Sequence, residues 1–297
     1  MGGGTYTDVS YKSLFLTKGY DKSSREQIFV SRHLDSEMNP KTITIRESRD
    51  SEEHPNSLAI IIGLDETGSM GFLPEHIVKT GLPKLMDSII QAGILDPQIL
   101  FMGIGDHVYD NAPIQVGQFE SSAELLDRWL TKVYLEGNGG GNNFESYTLA
   151  WLMASRHTSI DCLEKRNQKG FLFTIGDEPI NSNLPGETIK QLTTEVEAHT
   201  ITSEELYEEV SKKYHVYHIH LMHDDSSKSS YRMKGWKKIL GQNFITLENV
   251  EDLSKTVAQI ITSHLDTTFF KNQDQLQVKE SVPDSNSKEN TIIEEML

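Results

Sequence analysis

The sequence contains a single cysteine, Cys162, so no intramolecular disulfide bond can form. Its stability must therefore come from a hydrophobic core, and 297 residues, 36% of them hydrophobic, are enough for one large domain with flanking segments. A chain without disulfides fits a reducing compartment, and we expect a cytoplasmic protein.

Long apolar runs are also missing. A helix that spans a bilayer needs about 20 predominantly apolar residues, whereas the longest apolar run here, residues 58–64, has the length of a strand. The N-terminal sequence MGGGTYTDVSYK lacks the apolar region of a secretory signal. We therefore expect no membrane association.

Positive charge is scarce in this sequence. The 28 Lys and Arg residues are outnumbered by 44 Asp and Glu residues, which gives a formal net charge of −16. Such a surface repels phosphate backbones, so we expect no nucleic-acid partner. Cations and basic proteins are more compatible partners, although net charge by itself indicates only a soluble protein.

Short apolar runs alternate with amphipathic helical patterns along the chain. A continuous apolar run of this length is typical of a strand that is buried on both faces. The order predicts an α/β fold with a doubly wound, mainly parallel central sheet flanked by helices, as in Rossmann-like proteins. The predicted strands cover residues 58–64, 98–104, 114–116, 170–176, 215–222 and 243–247.

Composition divides the chain into three parts. Residues 1–57 are polar and mixed, and we expect an N-terminal arm with a short strand at residues 42–45 and a loop at residues 46–55. Residues 58–268 carry the strand and helix patterns of the main domain. Residues 269–297 are polar and acidic, which indicates a disordered tail.

The first candidate site follows the first of these strands and has the sequence Asp65-Glu66-Thr67-Gly68-Ser69. In open parallel sheets, sites form beyond the carboxyl ends of the strands. Asp65, Thr67 and Ser69 supply one carboxylate and two hydroxyl groups, which are hard oxygen donors suited to Mg²⁺, Mn²⁺ or Ca²⁺. With so few charged ligands, a bound cation could accept a carboxylate from another molecule.

The same residues match the D-x-[S/T]-x-S signature of the metal-ion-dependent adhesion site (MIDAS), and the chain resembles von Willebrand factor A (VWA) domains over residues 58–265. The resemblance implies Asp65, Thr67 and Ser69 as first-loop ligands, some of them through water. It also implies Asp177, in TIGDE, as the acid of a third loop. Mg²⁺ is the expected ion, with Mn²⁺ and Ca²⁺ as alternatives.

The glycine-rich second loop, GNGGGNNFES at residues 137–146, departs from the family pattern. Most members place a threonine after the glycines, whereas this loop resembles the variant of intracellular members. Asn142 and Glu145 are both candidates to replace the threonine. Glu145 has an alternative role at the start of the next helix, where an acidic side chain favours the helix dipole.

Two other polar groups have structural alternatives. Asp106 and Asp110 follow the second strand and could line the rim of the same site, but we favour a solvated turn. His218, His220 and His223 resemble part of a zinc cluster, but no cysteine accompanies them, and we favour histidines on a strand face.

The resemblance implies a metal-dependent binding module or scaffold that holds a protein partner through an acidic side chain. Intracellular members often act with AAA+ ATPases or in bacterial and phage-encoded assemblies, so these are the expected partners. The alternatives are a metal-dependent phosphohydrolase or phosphotransferase, and a structural protein whose metal only stabilises the fold. Aspartyl phosphotransferases use D-x-D-x-T/V, and Thr67 stands in place of their second aspartate, so we expect no enzyme.

Overall fold

The computed structural model describes residues 5–68, 70–136 and 144–265. Its strands are β1 (Arg46–Ser48), β2 (Leu58–Asp65), β3 (Pro97–Ile104), β4 (Ile114–Val116), β5 (Thr158–Ile160), β6 (Gly170–Gly176), β7 (Asn183–Leu184), β8 (Ile201–Thr202), β9 (Tyr214–Leu221) and β10 (Phe244–Leu247). Its α-helices are α1 (Asp8–Lys18), α2 (Arg25–Ile28), α3 (Phe72–His76), α4 (Leu82–Gln91), α5 (Ala123–Thr131), α6 (Tyr147–Arg156), α7 (Asp161–Arg166), α8 (Gly186–Leu192), α9 (Ser203–Val210), α10 (Ser230–Leu240) and α11 (Leu253–His264).

The central sheet has six strands in the order β4-β3-β2-β6-β9-β10. Neighbouring strands are parallel, except that the edge strand β4 runs antiparallel to β3. The chain runs outward from β2 to β3 and β4 on one side, and then continues through β6, β9 and β10 on the other. The carboxyl end of β2 therefore lies at the topological switch point, where open α/β sheets bind ligands.

Helices cover both faces of this sheet. As a consequence, every residue of β2, β3 and β6 is buried. Helix α4 packs against α11, and α6 packs against α9 and against the three central strands. The predicted fold class is confirmed, and each predicted strand of the sheet agrees with the observed one to within one residue at each end. In the described ranges, no helix has the length and apolar character needed to cross a membrane.

The helix after the first candidate loop contains a π-helical turn. This turn, Ile77–Gly81, joins α3 to α4, and Pro83 lies in the first turn of α4. Proline donates no backbone hydrogen bond, and its ring clashes with the carbonyl group four residues earlier. The wider turn accommodates both constraints. Gly81 and Pro83 predict a kink or two abutting helices, and the structure has a junction between two helices here.

The N-terminal arm packs against the main domain through its aromatic residues. The Tyr20 hydroxyl donates a hydrogen bond to Asp127 Oδ1 on α5 at 2.8 Å. The Tyr11 hydroxyl donates to the carbonyl oxygen of Val78. The arm residues that belong to the main hydrophobic core are Tyr6, Tyr11, Tyr20, Ile28, Phe29 and Ile43. The predicted boundary between arm and domain at residues 57 and 58 stays a prediction, and the predicted tail, residues 269–297, lies outside the described residues.

The strand of the arm lies later in the sequence than the hydrophobic alternation predicts. Residues 42–45 are not in a strand, whereas β1 begins at Arg46, inside the predicted loop, and pairs in parallel with β5. Arg49, next to this strand, donates to Asp161 Oδ1 and Glu164 Oε2 on α7, each at 2.8 Å. The charged residues that predict a loop are therefore held by ion pairs with a distant segment.

Removal of the Tyr20 hydroxyl should destabilise the protein, because Asp127 is only 1% exposed and would lose a hydrogen-bond donor. We expect Tyr20→Phe to lower the free energy of unfolding by about 1–3 kcal/mol, as measured by urea denaturation. Tyr231→Phe changes a tyrosine that is 62% exposed and should have no effect. Equal stability of the two variants would contradict the role of the Tyr20 hydrogen bond.

Candidate metal centre

The carboxyl ends of β2, β3 and β6 place several acidic residues at the same edge of the sheet. Asp65 ends β2, Asp106 follows β3, and Asp177 follows β6. Glu145 approaches from the segment before α6 and forms an isolated parallel bridge with Ile180. The charges of Asp65 and Asp106 act on Glu145, and the charge of Asp177 acts on Asp65, so these carboxyl groups form one cluster.

The Asp65 carboxylate is fully buried and organises the first loop. Its Oδ1 accepts hydrogen bonds from the backbone N–H of Thr67 at 3.0 Å and from the Thr67 hydroxyl at 2.7 Å. Its Oδ2 accepts a hydrogen bond from the hydroxyl of Tyr147, on α6, at 2.6 Å. The last residue of β6 must be glycine for this approach, because a Cβ atom on Gly176 would overlap the Tyr147 hydroxyl and approach Asp65 Oδ2. Asp65 therefore connects β2, the first loop and α6.

Asp177 is held by two side chains from the segments after β9. Its Oδ2 accepts a hydrogen bond from Arg232 Nη1 at 3.1 Å and lies 3.2 Å from His223 Nε2. The same Arg232 nitrogen, on α10, lies 2.6 Å from Glu178 Oε1. Arg232 therefore supplies an internal positive charge to the third-loop acids.

Glu145 does not begin the next helix. Helix α6 begins at Tyr147 with Ser146 as its N-cap residue, and its first turn contains no acidic side chain. The backbone N–H of Ser146 donates to the carbonyl of Gly105 at 2.9 Å, so the chain turns into the helix only after Glu145. The helix-start role of Glu145 is therefore wrong. Its side chain is 6% exposed, and its Oε2 has no hydrogen-bond partner in the described part of the chain.

Asp106 belongs to the buried acidic cluster as well. It is 1% exposed, and its Oδ1 accepts a hydrogen bond from the backbone N–H of Val108 at 3.0 Å. Its own N–H donates to Asp110 Oδ2 at 2.7 Å. Asp106 Oδ2 and Asp110 Oδ1 are buried without hydrogen-bond partners among the described residues. The solvated-turn interpretation is therefore wrong for Asp106.

Burial and mutual repulsion raise the pKa values of these carboxyl groups. Burial, followed by the charges of the neighbouring carboxyl groups, raises the pKa of Glu145 to about 11. Burial, followed by the charge of Asp177, raises the pKa of Asp65 to about 7. Burial also raises the pKa of Glu178 to about 7, although the positive charge of Arg232 opposes the shift. If all of these groups were ionised, the cluster would carry more negative charge than its own cations neutralise, and a divalent cation would favour the ionised forms.

The donor atoms of the cluster suit a hard divalent cation. Buried oxygens of Glu145, Asp106 and Glu178 have no hydrogen-bond partner within the described ranges, and carboxylate and hydroxyl oxygens are the ligands that Mg²⁺ and Ca²⁺ prefer. Among the described residues, no three His, Cys, Asp or Glu side chains converge as a complete ligand set. A Mg²⁺ site does not require three, because hydroxyl groups and retained water molecules can complete its coordination.

Among the predicted ligands, Asp65 and Thr67 are hydrogen-bonded to each other, whereas Asp177 and Glu145 interact with Asp65 through their charges. That these residues bind a metal ion stays a prediction. The other two, Ser69 and Asn142, lie outside the described residues. Sequence analysis missed Tyr147 and Arg232, which hold the carboxylates of Asp65 and Asp177. The position of Tyr147, in the first turn of the helix after the second loop, is a signal that could have indicated its role.

The histidines of β9 are packed in the core. His218 stacks on Trp236 with ring centroids 3.7 Å apart, and its Nδ1 lies 2.9 Å from Thr174 Oγ1. The Nε2 of His220 lies 2.7 Å from the carbonyl oxygen of Ser227. These contacts agree with the interpretation as strand-face histidines.

Removal of the Arg232 charge should destabilise the metal-free protein, because Asp177 and Glu178 would remain buried without their cation. In EDTA, we expect Arg232→Met to lower the free energy of unfolding by about 3–5 kcal/mol. Lys234→Met, on the exposed face of the same helix, is the matched control and should be nearly neutral. An Arg232→Met protein as stable as this control would show that the ion pairs contribute nothing.

Neither a protein-family model nor a curated protein matches this sequence. Solved structures with partial similarity include the pilus adhesin SpaC from Lactobacillus rhamnosus GG in an open conformation, with 12% identity and a TM-score of 0.46 over 73% of this chain and 31% of that chain. Another is proximal thread matrix protein 1 from the mussel byssus with a zinc-occupied MIDAS motif, with 10% identity and a TM-score of 0.45 over 71% of this chain and 48% of that chain. The chain matches less than half the length of either protein.

Proposed function

We propose that this chain is a VWA-type domain that binds a divalent cation at the carboxyl end of β2 and uses it to hold an acidic side chain of a protein partner. The proposed ligands are Asp65, Thr67, Ser69 and Asp177, with Asn142 or Glu145 from the second loop. One observation carries the proposal. The buried Asp65 carboxylate lies at the switch point of the sheet, is hydrogen-bonded to Thr67 of the D-x-T-x-S sequence, and lies near enough to other acidic side chains for the charge of Asp177 to raise its pKa.

The surroundings of Asp65 support a cation rather than a purely structural carboxylate. A buried carboxylate that only stabilised the fold would be expected to pair with a basic side chain. Asp65 instead accepts hydrogen bonds from neutral hydroxyl and amide groups, and Arg232 pairs with Asp177 and Glu178. These hydrogen bonds orient the carboxylate, and none of the ion pairs among the described residues involves Asp65.

The ion would supply a positive charge that attracts a carboxylate from outside the protein. Hard oxygen donors favour Mg²⁺, with Mn²⁺ and Ca²⁺ as alternatives. The proposal extends to the partner classes implied by the resemblance to intracellular members, an AAA+ ATPase or a bacterial or phage-encoded assembly, and to a cytoplasmic location. A binding module needs no catalytic group, and the proposal assigns none.

Substitution of Asp65 should abolish metal binding and leave the fold intact. Asp65→Ala removes the carboxylate that accepts hydrogen bonds from both Thr67 and Tyr147, and we expect no measurable heat of Mg²⁺ or Mn²⁺ binding by calorimetry. Circular dichroism checks the fold, and Asp21→Ala, at an exposed aspartate, is the matched control. Wild-type metal affinity in Asp65→Ala would show that the site is elsewhere.

Glu145 should control the balance between metal affinity and partner affinity. If it is a ligand, Glu145→Thr removes a negative charge, so Mg²⁺ affinity should fall by about tenfold or more. The remaining charge on the ion would be larger, so Mg²⁺-dependent binding of an acidic peptide such as hexa-aspartate should become stronger.

The control for this experiment is Glu248→Thr, at an exposed glutamate, which should change neither affinity. Calorimetry measures the Mg²⁺ affinity. Fluorescence anisotropy of the labelled peptide measures the affinity for the peptide. If Glu145→Thr leaves the Mg²⁺ affinity unchanged, Glu145 is not a ligand, and Asn142 becomes the second-loop candidate.

A further inference from the structure

A cavity of about 240 Å³ borders the candidate metal loop. Thr67 and Gly68 line it from the loop, and Arg25 and Arg32 line it from the N-terminal arm. The cavity is therefore continuous with a proposed metal ligand, Thr67. Its arginines come from a segment that the metal motif does not include, and its acidic lining residues are Glu66 of the motif and Glu26 of the arm.

The backbone that carries these arginines is anchored to the main domain. Phe29, between them, is 3% exposed and belongs to the main hydrophobic core. On one side of this segment, Lys79 Nζ donates to the carbonyl oxygen of Ser23 at 2.8 Å. On the other side, the hydroxyl of Ser31 donates to the carbonyl oxygen of Lys132 at 2.9 Å. The segment that carries both guanidinium groups is thus attached to the domain at both ends and in the middle.

Arg25 lies directly over the turn that leads from the metal loop into α3. A Cβ atom on Gly71 would lie 2.8 Å from Arg25 Nη1, so the guanidinium group packs closely on this backbone. The Arg25 side chain is 43% exposed, and its ion pair with Glu26 is long, at 3.7 Å between Nε and Oε1. An exposed ion pair of this kind contributes little to stability, so it does not prevent Arg25 from binding another carboxylate. The planar guanidinium group offers five N–H donors for such a carboxylate.

The dimensions of the cavity fit a side chain rather than a whole small molecule. Small-molecule sites usually enclose about 300–1,000 Å³, and this cavity is smaller. Phe29 and Leu135 give it an apolar wall, which suits the methylene groups of an acidic side chain. Arg25 and Arg32 are placed for the carboxylate at the end of such a side chain.

The net charge of the whole protein makes Arg25 and Arg32 relevant to the attraction of an acidic partner. At a formal net charge of −16, the surface repels an acidic partner at long range. Arg25, Arg32 and a bound metal ion would oppose this repulsion locally, against the acidic Glu26 and Glu66 of the same cavity. Local charge complementarity of this kind influences which partner binds and how fast.

We propose that Arg25 and Arg32 form a carboxylate-binding subsite beside the metal loop, which recognises a second acidic side chain of the same partner. The partner segment would carry two acidic side chains close together, one for the cation and one for the arginines. This inference rests on the proposed function for the first contact, whereas the arginine contact itself requires no metal.

The experiment measures binding of fluorescein-labelled hexa-aspartate by fluorescence anisotropy, in Mg²⁺ and in EDTA. Arg25→Gln/Arg32→Gln should weaken binding by about tenfold or more in both conditions, because charge-assisted hydrogen bonds are lost. Glu26→Gln should strengthen binding, because it removes a negative charge from the lining of the cavity. The Mg²⁺ affinity of both variants, measured by calorimetry, should equal that of the wild-type protein.

Lys22→Gln/Lys234→Gln is the control, because it removes the same charge from exposed positions outside the cavity. Equal weakening in the control, no weakening in the arginine variant, or no binding by the wild-type protein would overturn the subsite. Competition by inorganic phosphate that is much stronger than competition by acetate would assign it to phosphate groups instead. Weakening by the arginine variant together with a wild-type affinity that is the same in Mg²⁺ and EDTA would support the subsite and contradict the proposed function.

Discussion

The buried carboxylate of Asp65 is the constraint on which the rest of the site depends. The chain order of the strands reverses direction at β2, which leaves a crevice at the carboxyl end of this strand. The Asp65 carboxyl group is buried there and therefore requires hydrogen-bond donors. Thr67 and Tyr147 provide them, which fixes the first loop and the start of α6 relative to the sheet. The residue spacing of the D-x-T-x-S sequence therefore has a structural reason that is independent of any bound ion.

The acidic residues around Asp65 add electrostatic repulsion to this need for hydrogen-bond donors. Burial raises the free energy needed to ionise each carboxyl group, and every additional ionised carboxyl group nearby raises it further. Arg232 offsets part of it at Asp177 and Glu178, but Glu145 and Asp106 retain buried oxygens with no hydrogen-bond partner among the described residues. An arrangement of this kind is costly unless something binds to it, and that cost is the physical basis for the proposed cation.

The sequence predicts the sheet well because its strands are continuous apolar runs. It predicts the position of the candidate site because the D-x-T-x-S sequence directly follows one of these runs. Its failures concern contacts between distant segments. Arg232 meets Asp177 across 55 residues, and β1 pairs with β5 although no local pattern indicates it. Glu145 was ambiguous for a related reason, since only the observed start of α6 at Tyr147 separates a helix-start role from a position in the acidic cluster.

The measurement that tests the central claim most directly is the location of Mn²⁺ in crystals of the protein by anomalous diffraction. The account predicts one strong peak at the carboxyl end of β2, within coordination distance of oxygen atoms of Asp65 and Thr67, and no such peak in crystals of Asp65→Ala. A fully occupied Mn²⁺ ion bound elsewhere, or no ion at this position at saturating Mn²⁺, would contradict it.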